Sequence, residues 1–175
     1  HYHRYTLDFY MFALAVARIT RDEAAAAFES AVGRLGFAAR LLADNRGRLP
    51  HLGDDDGGLL LPFCGRAPDD VRDSLASAGA LVERPDLRVS NAPEESCWLL
   101  AHPTLAPLLE QSRTVPPVES IGSAALPATG YYVSRSNAGD HAVIDAGPHG
   151  FANGGHAHAD ALSLTLTVRG GPLAL

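Results

Sequence analysis

The chain has 175 residues, 46% of them hydrophobic and 19% charged, with a formal net charge of −6. This length gives one domain or two small ones and enough apolar residues for a core. No basic run appears, so the electrostatic footprint of a nucleic-acid or other polyanion binder is not visible, and no apolar run approaches the ~20 residues of a membrane-spanning helix.

The sequence opens on "HYHRYTLDFYMFALAVARI", already a helix in progress, and stops at "GGPLAL", where a strand is beginning. It reads as an internal piece of a longer protein, so any site within it is expected to be incomplete. Residues 4–19 are apolar almost all round, which predicts a helix packed on most sides. "TRDE" follows as a capping box, with Thr20 as N-cap and Glu23 reaching back. Phe28, Ala31, Val32, Leu35, Ala39 and Leu42 then form a 3.6-residue stripe. Two antiparallel helices with so short a connection point to a bundle or an α/α array.

"DNRGRLPHLGDDDGG", with four glycines and four aspartates, is a loop. Residues 69–82 are expected to be helical from Asp69 or Asp70, and residues 94–112 helical in two pieces broken near Pro103. Trp98 invites a sugar-stacking role, but packing in the helical core is the preferred reading. Cys64 and Cys97 allow one disulfide; two buried thiols are preferred. The texture changes near residue 114. "TVPPVESIGSAALPATG" is proline-rich and reads as a linker, and short strands follow in "GYYVSRS", "HAVIDAG" and "ALSLTLTV". In the last, Leu162, Leu164, Leu166 and Val168 alternate with Ser163, Thr165 and Thr167, which predicts buried leucines and a polar outer face. Helices followed by strands indicate an α+β or two-domain chain, divided as helices over 1–113, linker over 114–128 and an antiparallel β domain from 129 to 175.

Four of the eight histidines, His141, His149, His156 and His158, lie within residues 141–158. A strand starting as early as residue 156 would put His156, His158 and Asp160 on one face with Leu162 and Leu164. Two neutral imidazoles on alternate residues can chelate Zn²⁺ at about 2.0–2.1 Å, with Asp160 as a ligand or as the group orienting a histidine. Histidines in a glycine-rich loop can equally be polar filler. An H-x-H-x-D-H pattern would suggest a binuclear zinc hydrolase, but the residue after Asp160 is Ala161, so the last ligand is missing.

The chain resembles the heparinase II/III-like family of polysaccharide lyases. "HYHRYTLDFY" is similar to the end of the family's Glu-x-Ser-x-x-Tyr-His-Arg pattern, "GRLPHLGDDDGGLLLPF" to its loop leaving the helical domain, and the stretch from "GYYVSRS" to "GGPLAL" to the opening of its β domain. The resemblance implies the end of an (α/α) toroid followed by an antiparallel β-sandwich-type domain, both incomplete here. It implies β-elimination on a uronic-acid-containing polysaccharide or oligosaccharide, in the cell envelope, the periplasm or outside the cell. The sugar carboxylate must be neutralised, the C5 proton removed and the C4 oxygen protonated. By resemblance, Tyr2 matches the catalytic tyrosine and His156 the active-site histidine. His158 matches a ligand of a structural zinc whose remaining ligands lie beyond residue 175. Arg4 is a candidate for lowering the Tyr2 pKa or binding substrate. Asp160 orients a histidine or the turn. Asp54, Asp55 and Asp56 either accept sugar hydroxyls or shape their loop, the second preferred because carboxylates repel an anionic sugar. The fragment alone is expected to bind zinc weakly and to lack lyase activity. Two rival functions remain: a non-catalytic carbohydrate-binding or scaffold protein of the same fold, and a zinc-dependent hydrolase.

Overall fold

The computed structural model describes residues 2–54, 57–62, 65–87, 94–100, 106, 110, 121–148, 158 and 162–174. Helix α1 spans Tyr2–Thr20 and buries Arg4, Leu7, Asp8, Met11, Leu14 and Ala17, one stripe at helical spacing. Its other side is open: Phe9, Phe12, Val16 and Ile19 are exposed, so the expectation of a helix packed on most sides is not met. The capping box does not form either. Thr20 is the last residue of α1, and its hydroxyl donates back to the Val16 carbonyl (3.0 Å). Arg21 turns the chain with φ 57, and the Asp22 carboxylate accepts the Ala24 amide (2.8 Å) to start the next helix. A hydroxyl at a helix end can serve either neighbour, and here the preceding turn takes it.

Helix α2, Ala25–Leu42, runs back along α1 and buries Val32, Gly36, Ala39 and Leu42, as its stripe predicts. Helix α3, Arg72–Leu81, lies between its neighbours with almost every residue buried. It starts two or three residues later than expected because Asp70 stays outside, accepting from the Arg72 amide (3.2 Å) and holding the Arg72 guanidinium (2.6 and 2.9 Å). A 3₁₀ turn at Pro85–Leu87 follows, and Leu87 seats against the Cβ-less face of Gly36. Helix α4 spans Glu94–Leu99; the helical piece expected after Pro103 falls largely outside the described residues. Glu95 and Ser96 face inward on α4, while Cys97 and Trp98 face outward. Trp98 is 68% exposed and Cys97 is an exposed free thiol, which corrects both burial expectations. Cys64 lies outside the described residues.

Five strands form one open antiparallel sheet in chain order: β1 Ala124–Leu126, β2 Tyr131–Arg135, β3 His141–Asp145, β4 Leu164–Val168 and β5 Gly171–Ala174. β1 occupies part of the proline-rich segment 114–128. The architecture is α+β. Among the described residues there is neither a closed ring of helix pairs nor a second sheet.

β4 shows the predicted alternation with the faces exchanged. Thr165 and Thr167 are buried, whereas Leu164 and Val168 are exposed. Register explains this. Thr165 pairs with Val143 and Thr167 with His141, both buried against the helices, and Leu164 pairs with outward-facing Ile144. The period of two is local, but the inward face is set by the neighbouring strands.

Sheet and helices share one core, in which Val133 and Val143 join Leu41, Leu42, Leu75 and Leu87. Arg135 locks the junction. Its Nη2 donates to the Leu41 carbonyl (2.7 Å) and the Ala43 carbonyl, and Nη1 donates to Asn45 Oδ1 (3.4 Å). A cation from β2 thus satisfies carbonyls left open where α2 ends.

Candidate functional site

The loop after α2 is held to the start of α3 by backbone bonds, Leu49 to the Asp69 carbonyl (2.8 Å) and Val71 to the Gly47 carbonyl (2.9 Å). This anchoring carries the aspartate-rich stretch towards the sheet. There His158 Nε2 hydrogen-bonds Asp54 Oδ1, joining two loops 104 positions apart. Both motifs stand out in the sequence; their contact does not. His158 is accessible, and the pair lies at the surface rather than in the core.

His156, Asp160, Asp55 and Asp56 lie outside the described residues. The shared face expected for His156, His158, Asp160, Leu162 and Leu164 does not follow from β4. The strand begins at Leu164, and Leu162 has a left-handed backbone at φ 64 that breaks the alternation.

Tyr2 opens α1 and is 42% exposed. Arg4 points elsewhere, as residues two apart on a helix do. It is 1% exposed and donates to Ser74 Oγ (3.1 Å), the Ala67 carbonyl (3.2 Å) and Glu95 Oε2 (3.4 Å). Its Nε lies 3.8 Å from Asp8 Oδ2. Burial pushes the Glu95 carboxyl up to about 7 and the Asp8 carboxyl up to about 6; the Arg4 charge opposes both shifts. This buried group ties α1, α3 and α4 together. Its members are polar residues on helical stripes, where the sequence gives no sign that they turn inward.

A cavity of about 600 Å³ lies where the helical loop meets the sheet. Asp44, Arg46, Arg48 and Arg72 line it from the helical side, and His141, Thr165 and Thr167 from the sheet. His141 is buried, and its ring donates to the Leu41 carbonyl; Nε2 has no partner among the described residues. Burial pushes the imidazole down to about 4, and the neighbouring Arg135 charge adds to the shift, so the ring is neutral at pH 7. Sequence reading missed this cavity because its floor is the threonine face of β4, expected to face solvent. The available signal was His141 alternating with Val143, which marks that face of β3 as inward.

Zinc has a partial fit. His158 and Asp54 are suitable donor types, but a structural site takes four ligands. Among the described residues no group of three or more histidine, cysteine or acidic side chains could hold a metal ion. No described helix is long and apolar enough to cross a membrane.

Residues 119–175 match the family model described as "Heparinase II/III-like, C-terminal". The match covers β1 to β5 and the sequence between β3 and β4 that contains His156, His158 and Asp160. No curated protein matches the chain.

Proposed function

We propose that this chain, heparinase II/III-like over residues 119–175, is part of a polysaccharide lyase. In this reading the enzyme cleaves a uronic-acid-containing glycan by β-elimination and works in the cell envelope or outside the cell. The helices belong to an (α/α) toroid, and the sheet is one layer of a sandwich-type domain. The family match is the observation that carries the proposal.

The chemistry asks for three tasks. A cationic or hydrogen-bonding group neutralises the sugar carboxylate, which lowers the energy of the carbanion-like transition state. A base takes the C5 proton. The C4–O bond then breaks, its electron pair leaves with the oxygen, and the C5 electrons form the C4–C5 double bond. An acid protonates the departing oxygen. Tyr2 and His156 carry the proton transfers. An exposed phenol at the start of α1 supports the first assignment, because a group that meets a polymer must reach solvent. Arg4 acts through the fold: its buried bonds to Ser74 and Glu95 hold the first turn of α1, and it does not contact sugar. Asp54 positions the β-domain loop through His158. His158 would also ligate the structural zinc, and Asp160 would orient a histidine beside it.

The test is the appearance of ultraviolet absorbance from an unsaturated uronate when the full-length protein meets uronic-acid polysaccharides. Tyr2→Phe and His156→Ala should each lower turnover by about 10²-fold or more, the scale of a lost general acid or base, with circular dichroism unchanged. Wild-type protein that binds these glycans without forming the double bond would instead be a carbohydrate-binding scaffold. Cleavage products lacking the double bond would indicate a hydrolase.

A further inference from the structure

We propose that the cavity at the helix–sheet junction is a binding site for an oxyanion: a sulfate, phosphate or carboxylate, free or carried by a saccharide. The inference rests on none of the residues assigned to the lyase reaction.

The cavity is donor-rich. Three arginines line it, Arg46, Arg48 and Arg72, against two carboxylates, Asp44 and Asp69. Both carboxylates have partners, Asp69 a guanidinium and Asp44 only backbone amides. Asp69 accepts from Arg48 Nη1 (2.5 Å), and Asp44 Oδ1 accepts the backbone amides of Arg46 (2.8 Å) and Arg48 (2.9 Å). Arg72 is engaged by Asp70. Arg46 is left: among the described residues its guanidinium has no hydrogen-bond partner. It lies against the β4–β5 turn, where Gly170 has φ 77 and a Cβ would come within 2.8 Å of Arg46 Nε. The missing side chain at this turn leaves room for the guanidinium to reach the cavity.

The opposite wall supplies hydroxyls. Thr165 and Thr167 are 8% and 7% exposed, and neither hydroxyl has a hydrogen-bond partner among the described residues. Two threonines more than nine-tenths buried, whose hydroxyls have no partner among the described residues, line the same cavity as a guanidinium outside any ion pair among those residues, and match what an oxyanion requires: several convergent donors, one of them cationic.

Calorimetric titration of the full-length protein with sulfate, phosphate and glucuronate, at constant ionic strength, tests the assignment, with glucose as the neutral control. At least one anion should bind saturably and glucose should not. Arg46→Gln should weaken that binding at least tenfold, and so should the paired change Thr165→Val with Thr167→Val. Arg46 is exposed, so its variant keeps the fold, which circular dichroism checks. Binding of sulfate or phosphate alone assigns a free anion; preference for glucuronate assigns the acid group of a sugar. Absence of saturable binding by all three anions, equal binding of glucose, or undiminished affinity in Arg46→Gln overturns the proposal. Tyr2→Phe should leave this binding unchanged, which separates its failure from failure of the lyase reading.

Discussion

Helix α2 and strand β4 both present one apolar and one polar face, yet they bury opposite ones. α2 turns Val32, Ala39 and Leu42 into the core, whereas β4 turns Thr165 and Thr167 inward and leaves Leu164 and Val168 exposed. The difference lies in what each element meets. α2 packs against α1 and α3, whose facing side chains include Leu7, Met11, Leu14 and Leu75. β4 meets the polar loop after α2 across a cavity lined by arginines. Hydroxyls are acceptable there because water or a polar ligand can satisfy them.

The largest test of this contrast is the most buried polar group on the helical side. Arg4→Met strands Glu95 and Asp8 without their cation and should cost about 3–5 kcal/mol, the range for breaking a buried ion pair, as read by chemical denaturation. A variant as stable as wild type would show that these helices do not depend on their polar interior. Leu41→Ala, at a fully buried position near the end of α2, should cost about 2–5 kcal/mol through lost contact and a residual cavity. Arg135→Ala removes the bonds that close α2 onto β2. It should cost about 2–3 kcal/mol, because it strands buried carbonyls, and should raise amide exchange in residues 40–44 before it does so in α3.

Acid and base should separate the two regions next. Glu95 and Asp8 titrate higher in the folded chain, near 7 and 6, than their ordinary 4.5 and 3.8. The unfolded chain ionises first, so these groups make stability fall as pH rises from about 4 to about 7. His141 works the other way: its folded value near 4 lies below 6.5, so its contribution is lost as pH falls from about 6.5 towards 4. Glu95→Gln should flatten part of the first slope and leave the second. An unchanged profile would place the titration elsewhere. The smallest effect is expected at Leu164→Ser, within about 0.5 kcal/mol as at other exposed positions. A loss as large as that of Leu41→Ala would mean that the leucine face of β4 is covered.

Much of the local structure is legible in the residues. β2, β3 and β4 follow from alternation and glycine-rich turns, α2 from its stripe, and the loop after it from glycine and aspartate. The candidate site is less so. Asp54 and His158 each belong to a conspicuous motif, but nothing in either predicts that they meet. Arg46 lies in the glycine- and aspartate-rich loop and Thr165 and Thr167 in the alternating strand, but neither pattern marks a shared site, so their convergence is invisible before the sheet is docked. Asp8 and Glu95 read as ordinary polar positions and Arg4 as a candidate for lowering the Tyr2 pKa or binding substrate, although all three are buried.

The sequence by itself determined the periods: 3.6 in the helices, two in the strands, and the change from one to the other around the proline-rich segment. Backbone sterics and side-chain spacing set these within a few residues, so no distant partner is needed. Tertiary structure alone decided the phase, meaning which face of each element turns inward and which loops touch. Burial is a property of both sides of a contact. Thr165 is inside because Val143 beside it is, and His158 has a partner because the loop after α2 is tied back to α3.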